Sequence, residues 1–217
     1  MLDGFPWRLV TVDIDGTLTR VHGWKEIAKE FHGLAAFEST NRRFAAHEIG
    51  EDAHLANLLD IATGHTVADV ETVLERTPRL AGIGQGIAAI REVGARVALL
   101  THNPTYVADW YRRTFGFDDS EAVASQSLDH GRIGPPTLTH ADKRAGFRAL
   151  LSRGEISPSL AVHIGDGWSD VEVFRIAGGG VALNSPFAEV NRAADLALAT
   201  QDFREVAEAL ARLQPRT

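Results

Sequence analysis

The sequence predicts an α/β fold: a doubly wound parallel sheet with a small helical domain inserted after its first strand. Three observations support this. From Leu80 onward, short apolar runs of strand length alternate with stretches of helical periodicity. Three of the apolar runs end in polar residues, as expected where the carboxyl edge of a sheet binds a ligand. Between about residues 20 and 78, apolar residues recur at helical spacing.

The first strand candidate runs from Arg8 to Val12 and resembles a parallel strand that is covered on both faces. Asp13 and Asp15 follow it, and Gly16 allows a tight turn. Two like charges so close together favour a bound cation, and oxygen ligands of this kind suit Mg²⁺. The alternative is that both aspartates only cap a loop, since Asp is common in turns.

The helical insert has predicted breaks at Gly50 and Gly64. We therefore expect a core of residues 1–19 and 79–217 and a separate helical unit of residues 20–78. The histidines of this unit show no metal-ligand spacing, and we expect them to be solvated or locally hydrogen-bonded. Trp24 is expected in the core rather than stacked on a substrate.

The second half of the chain predicts alternating helices and strands. In order, we expect a helix at Gly86–Val93, a strand at Arg96–Leu100, a helix ending at Gly116, a short strand at Ala122–Ala124, a hairpin around Asp129–Gly131, a helix at Lys143–Leu151, strands at Leu160–Ile164, Val181–Leu183 and Leu196–Leu198, and a helix at Phe203–Leu213. Pro104 suits the first turn of its helix, because an N–H group is not needed there.

Polar residues follow two further strands. Thr101, His102 and Asn103 come after one strand, and Asp166 and Asp170 come after the other. A second pair of acids favours a metal site over a plain turn. Thr101 has the alternative of acting only as a helix N-cap.

A further candidate is Lys143, at the start of a predicted helix. Most lysines are solvated, which is its alternative role, and Asp142 or Arg144 could be mistaken for it.

The set Asp13-Ile14-Asp15-Gly16-Thr17, Thr101, Lys143 and Gly165–Asp170 resembles, in this order, the four motifs of the haloacid dehalogenase-like phosphohydrolases. The resemblance spans nearly the whole chain. It implies a Rossmann-like core, a helical cap formed by residues 20–78, and a Mg²⁺-dependent phosphomonoesterase that acts on a small phosphorylated metabolite through an aspartyl-phosphate.

The resemblance also implies residue roles. Asp13 is the expected nucleophile, and Asp15 the general acid and then the general base. Thr101 and Lys143 complete the catalytic set. The expected metal ligands are Asp13, Asp15 through its main-chain carbonyl, Asp166 and Asp170, the last directly or through water. The expected substrate-binding residues are Thr101, His102, Asn103, Lys143 and His22.

Within the family, the position of the cap and the sequence from Asp13 to Ala28 are most similar to the phosphoserine phosphatases. Two departures concern the substrate. His22 stands where those enzymes carry the glutamate that binds the substrate ammonium, and Leu58 stands where they carry the arginine that binds its carboxylate. We therefore expect that phosphoserine is not the best substrate and that His22 faces a neutral or anionic leaving group.

The composition excludes several classes of protein. A net charge of −7 argues against a general nucleic-acid or anionic-membrane binder. No apolar run approaches the roughly 18 residues of a membrane-spanning helix, and there is no cysteine, so we expect a cytoplasmic protein. A homodimer is left open. The alternatives for function are a phosphotransferase or phosphomutase of the same family, or a non-catalytic binding module that kept the fold.

Overall fold

A parallel sheet forms the core of the computed structural model, which describes residues 4–138, 140 and 142–216. Within them, seven strands lie in the order β4-β3-β2-β1-β5-β6-β7, and only β3 and β4 pair antiparallel. Their bounds are β1 Leu9–Val12, β2 Arg96–Pro104, β3 Asp119–Asp129, β4 Arg132–Leu138, β5 Ala161–Gly165, β6 Gly179–Leu183 and β7 Leu196–Leu198. The predicted α/β class with a doubly wound sheet is confirmed.

Strand β1 lies at the point where the strand order reverses. The chain passes from β1 to β2 and β3 on one side and then returns to β5 on the other. The Asp13 N–H continues this pairing, because it donates to the carbonyl of Ile164 at 2.9 Å. A crevice therefore forms at the carboxyl ends of β1, β2 and β5, where ligands of such sheets bind.

Six helices pack on the core sheet. They are α5 Ile83–Glu92, α6 Thr105–Phe115, α7 Lys143–Gly154, α8 Trp168–Phe174, α9 Ala188–Ala193 and α10 Phe203–Arg212. Alternation along β2 shows the two layers: Val97 and Leu99 belong to the large apolar cluster with α5, α6 and α10, whereas Ala98 and Leu100 pack with α7. Among the described residues, no helix has the length and apolar character needed to cross a bilayer.

Several predicted boundaries differ from the structure. Strand β2 continues past Leu100 to Pro104, which precedes α6 as its N-cap residue instead of lying in its first turn. Strand β3 joins the predicted strand at Ala122–Ala124 to the first flank of the predicted hairpin and is eleven residues long, because it pairs with β2 on one side and β4 on the other. The predicted hairpin turn is confirmed: His130 and Gly131 both have positive φ, at 47° and 77°, as a tight hairpin turn requires.

The cap contains four helices between β1 and α5: α1 Gly23–Glu30, α2 Leu34–Ala45, α3 Glu51–Asp60 and α4 Val67–Arg76. Its two connections to the core run side by side, since Thr19 and Arg79 form an isolated antiparallel bridge. The predicted boundaries at residues 19–20 and 78–79 fall at this bridge. The independence of the two units stays a prediction.

The β3–β4 hairpin also reaches the cap. The Gly64 N–H donates to the Ile133 carbonyl at 2.7 Å, and the Ile133 N–H donates to the His65 carbonyl at 2.8 Å. The loop between α3 and α4 is therefore fixed to an extension of the core sheet.

Candidate active site

A cavity of about 420 Å³ lies between the carboxyl edge of the sheet and the cap. Most of the predicted site residues line it, although they are far apart in sequence: Asp13, Asp15, His22, Thr101, His102, Asn103, Asp166 and Asp170. Lys143 lies next to them in the interior. The crevice at the reversal of strand order is therefore the candidate active site.

Lys143 is a buried cation that bridges two carboxylates. Its Nζ lies 3.0 Å from Asp13 Oδ2 and 2.6 Å from Asp170 Oδ1, and the residue is 2% exposed. Burial alone lowers the pKa of Lys143, but Asp13 and Asp170 outweigh it and hold that pKa above its usual range. Lys143 is thus not a solvated lysine.

The two neighbours of Lys143 do other work. The Asp142 side chain caps α7 by accepting from the Ala145 N–H at 2.8 Å. Arg144 is half-exposed and pairs with Asp142 and Glu172 at the surface. Neither contacts the aspartates of the cavity, so Lys143 is the residue of this segment that belongs to the site.

Asp170 is fully buried and accepts four hydrogen bonds. Its Oδ1 accepts from Lys143 and from His163 Nε2 at 2.9 Å, and its Oδ2 accepts from the N–H groups of Asp166 and Gly167 at 3.0 and 2.9 Å. Burial raises the pKa of Asp170, but Lys143 and His163 outweigh it and hold that pKa below the usual range. Because its lone pairs are engaged, Asp170 suits the water-mediated or orienting role better than direct metal ligation.

His163 is a site residue that the sequence analysis missed. It lies fully buried in β5, between Asp170 and the Thr11 hydroxyl, which is 2.9 Å from Nδ1. Burial lowers the pKa of His163. A carboxylate only accepts, so Nε2 carries the proton and Nδ1 accepts from Thr11. A histidine within an otherwise apolar strand was the available signal.

Asp13 and Asp166 offer the oxygens for a cation. Burial raises the pKa of Asp13 to about 8, with Lys143 opposing, and burial together with Asp170 raises that of Asp166 to about 7. Asp13, Asp166 and Asp170 each place an oxygen within 4.8 Å of the others. Within the described part of the chain, Asp13 Oδ1 and Asp166 Oδ2 accept no hydrogen bond. Buried carboxylates with oxygens to spare fit Mg²⁺, which would restore their charged forms.

Gly16 keeps the Asp166 carboxylate close to the first motif. A Cβ atom on Gly16 would lie 2.2 Å from Asp166 Oδ2, and the backbone there has a φ of +78°. Thr17 Oγ1 donates to the other oxygen of Asp166 at 2.9 Å. The first motif thus both supplies Asp13 and orients Asp166.

Asp15 is held from the cap and from β2. Its Oδ1 accepts from the Gly23 N–H at 2.6 Å, and its Oδ2 accepts from Asn103 Nδ2 at 2.9 Å. Asn103 is predicted to bind substrate; in the structure its side-chain amide contacts Trp24, Asp15 and Thr101. Trp24 is buried as expected, yet it also lines the cavity.

Thr101 is oriented to donate its proton. Its Oγ1 accepts from the Asn103 main-chain N–H at 3.1 Å and from Asn103 Nδ2 at 3.0 Å, which occupies both lone pairs. No acceptor for the hydroxyl proton occurs among the residues that the structure describes. The capping alternative does not apply, because α6 begins at Thr105 after Pro104.

The cap side of the cavity is apolar and weakly charged. Leu58 is buried there, and His22 is exposed with its ring edge-on to Phe37 at 5.5 Å. His102 lies 3.7 Å from the Glu51 carboxylate, and burial lowers the pKa of His102. The described lining includes no arginine or lysine.

Together the fold and the site define a class: an α/β protein with an aspartate cluster around a buried lysine at the switch point of its sheet, covered by an inserted helical cap. A model of the haloacid dehalogenase-like hydrolases matches residues 7–178, and the chain belongs to this family.

Curated relatives are similar to this chain at low identity. The phosphoserine phosphatase of Archaeoglobus fulgidus is 25% identical over 181 residues, which cover 82% of this chain and 53% of that protein. The phosphoserine phosphatase of Streptomyces coelicolor is 25% identical over 185 residues, 82% of this chain and 44% of the relative. The phosphoglycolate phosphatase of Nitrosopumilus maritimus is 29% identical over 111 residues, 51% of this chain and 47% of the relative. The chain thus spans about half the length of these relatives.

Solved structures share the fold over almost the whole chain. A phosphoserine phosphatase with a phospho-aspartyl intermediate analogue matches with a TM-score of 0.79 at 19% identity, covering 94% of this chain and 98% of the other. A HAD family hydrolase from Salmonella enterica matches with a TM-score of 0.85 at 17% identity, covering 94% and 71%. At such identities the similarity shows the fold.

Proposed function

We propose that this protein is a Mg²⁺-dependent phosphomonoesterase that hydrolyses a small phosphorylated metabolite through an aspartyl-phosphate at Asp13. One observation carries the proposal: Asp13 lies 3.0 Å from a buried lysine, and a second aspartate two residues on has both oxygens held in place. The curated relatives described above, two phosphoserine phosphatases and a phosphoglycolate phosphatase, support the same reaction class.

In the first half-reaction, an oxygen of Asp13 attacks phosphorus and the bond from phosphorus to the leaving oxygen breaks. Asp15 donates its proton to that oxygen, which leaves as an alcohol. In the second half-reaction, water attacks the same phosphorus atom, Asp15 accepts the water proton, and the bond to Asp13 breaks. Inorganic phosphate and free Asp13 result.

The remaining residues position the phosphoryl group and balance its charge. Lys143 offsets the negative charge that builds up beside Asp13, and the Thr101 hydroxyl donates to a phosphoryl oxygen. Asp13, the Asp15 carbonyl and Asp166 would hold Mg²⁺, with Asp170 behind them. The bound ion would supply Lewis-acid stabilisation of the phosphoryl oxygens.

We further propose that phosphoserine is not the best substrate. Its carboxylate would lie against Leu58, in a lining that includes no arginine or lysine among the described residues, and an unpaired charge in a closed site costs several kcal/mol. His22 lines the cavity, which supports its predicted place beside a neutral or anionic leaving group. Homodimer formation and a cytoplasmic location stay predictions.

The test is phosphate release from a panel that contains phosphoserine, phosphoglycolate, sugar phosphates and nucleoside monophosphates, with Mg²⁺ and with a chelator. We expect turnover only with Mg²⁺, and a loss of at least a thousandfold in Asp13→Asn, which keeps the size of the side chain but not its attacking oxyanion. Full activity in Asp13→Asn contradicts the mechanism. Transfer of phosphate to an added alcohol identifies a phosphotransferase instead, and a tenfold preference for phosphoserine overturns the substrate proposal.

A further inference from the structure

The Asn103 side chain contacts the cap and the core at once. It is 5% exposed; its Oδ1 accepts from Trp24 Nε1 at 2.8 Å, and its Nδ2 donates to Asp15 Oδ2 and to Thr101 Oγ1. An indole N–H only donates and a carboxylate only accepts, so the neighbours determine which way the amide points. Both N–H groups of the amide are engaged, which leaves no donor for a substrate.

Helix α1 of the cap holds both oxygens of Asp15. The Gly23 N–H, in the first turn of α1, donates directly to Oδ1 at 2.6 Å. Trp24, the next residue, acts on Oδ2 through Asn103. The hydrogen bond from Trp24 Nε1 to Asn103 Oδ1 thereby connects cap and core across 79 positions of the sequence. A shift of α1 would change the contacts of both carboxylate oxygens together.

We propose that Asn103 is a positioning residue that aims the Asp15 carboxyl group at the leaving oxygen and couples that aim to the seating of α1 through Trp24. This rests on the proposed function, because it requires Asp15 to move a proton. Asp15 then delivers its proton to the leaving oxygen only while the cap covers the substrate. This protects the phosphoenzyme from premature reaction with water in an open site.

The decisive experiment compares leaving groups in Asn103→Ala. A nitrophenolate leaves without a proton, whereas an alkoxide needs one from Asp15. We expect kcat/KM for the fastest alkyl phosphate of the panel to fall at least tenfold more than kcat/KM for 4-nitrophenyl phosphate. Equal losses on both substrates overturn the proposal. Asn103→Asp, which keeps the size and offers no donor to Asp15, should show the same selective loss and serves if the alanine variant does not fold.

A double-mutant cycle tests the connection to the cap. Trp24→Phe retains an aromatic ring without the N–H, and should lower kcat/KM for the alkyl phosphate several-fold in the wild-type background but not in the Asn103→Ala background. Trp7→Phe is the matched control, because it removes a buried indole hydrogen bond, to the Leu210 carbonyl, from a region outside the cavity. Additive losses for Trp24→Phe and Asn103→Ala contradict the coupling.

The two proposals fail in different ways. Wild-type turnover in Asp13→Asn overturns the proposed function. An inactive Asp13→Asn together with an Asn103→Ala variant that loses equally on alkyl and aryl phosphates overturns only the positioning role.

Discussion

A single ammonium group, that of Lys143, lies between two carboxyl groups that have little contact with water. Ion pairs at the surface contribute little because solvent screens them, whereas removing one partner of a buried pair leaves an uncompensated charge. The Lys143 side chain is 1% exposed, and those of Asp13 and Asp170 are 12% and 0% exposed. Lys143 therefore stabilises the candidate site, in addition to the role in charge balance proposed above.

We expect Lys143→Met to abolish turnover and to lower the free energy of unfolding by about 3 kcal/mol, because it leaves the buried Asp170 carboxylate without its cation. Urea denaturation and phosphate release measure the two effects. Arg144→Met removes the adjacent, half-exposed cation and should change the free energy of unfolding by less than about 0.5 kcal/mol. A larger loss of unfolding free energy in Arg144→Met than in Lys143→Met would contradict the stabilising role of the buried lysine.

Sequence reasoning found the residues that carry charge and missed those that orient them. Asp13, Thr101 and Asp166 follow strand signals, and the family resemblance implied that these strands are neighbours. Trp24 and His163 could not be assigned in this way, because their hydrogen-bond partners come from other elements. An apolar or aromatic position predicts burial, and it does not predict which polar atom its N–H will meet.

At the scale of elements, the start of α1 is set by its close approach to Asp15, in the loop that follows β1. His22 precedes the helix without capping it through its side chain, and the N–H of Gly23 is satisfied by Asp15. A Cβ atom on Gly23 would lie 2.7 Å from Asp15 Oδ1. A glycine is therefore required here by contact with a carboxylate and not by backbone conformation.

We expect Gly23→Ala to lower kcat at least tenfold while the protein stays folded, because the added methyl group displaces either α1 or Asp15. Circular dichroism and steady-state kinetics check both parts. Gly84→Ala in α5 is the control: its Cβ meets nothing closer than 3.8 Å, so it should stabilise that helix by up to about 1 kcal/mol with unchanged kcat. Unchanged kcat in Gly23→Ala would contradict the close contact.

Periodicity located the elements more reliably than it located their ends. The apolar centre of β3 was visible, and so was the strand-like stretch that leads from Ser125 into the hairpin, whereas the polar residues Asp119–Glu121 gave no strand signal. These residues are in a strand because β2 supplies their backbone partners. Tertiary pairing of this kind extends a strand beyond what its own residues favour.

At the scale of the whole molecule, the sequence predicts two units, but the apolar interior is shared. Val10 and Val12 of β1 belong to the same buried cluster as Leu58 and Leu59 of the cap. Gln126 of β3 adds a polar connection, since its Nε2 donates to the Leu59 carbonyl at 3.1 Å. Local periodicity contains no information about such contacts, so the shared core could not be predicted.

The charge of the site predicts a link between pH, Mg²⁺ and stability. The pKa values of Asp13 and Asp166 are raised to about 8 and about 7 without metal. Between about pH 4 and these values, the folded protein keeps protons that the unfolded chain has released. The free energy of unfolding of the metal-free protein should therefore fall as pH rises through this window. The pKa of Asp170 is lowered, so the stabilising effect of this carboxylate is lost only at pH values below this window.

The proposed Mg²⁺ would bind the ionised carboxylates, so it should raise the melting temperature more at pH 8 than at pH 6. At about 100 times its Kd, the ion adds about 2.7 kcal/mol to the free energy of unfolding. Calorimetry at both pH values, with Ca²⁺ as a comparison for activity, measures the effect. Equal shifts at pH 6 and pH 8 would contradict the raised pKa values. Ca²⁺ should support little turnover, because its looser coordination misplaces the nucleophile.

The paired hydrogen bonds between the hairpin and the α3–α4 loop determine which part of the cap can move. The Gly64 N–H donates to the Ile133 carbonyl of the hairpin, and the Ile133 N–H donates to the His65 carbonyl of the loop. Both amides should therefore exchange with deuterated water at the slow rate of the core sheet. The Gly23 amide, whose acceptor is a side-chain carboxylate, should exchange much faster and slow down when a phosphate analogue fills the cavity. Solvent deuterium would then enter the cap from the α1 side, and substrate would enter the cavity by the same route.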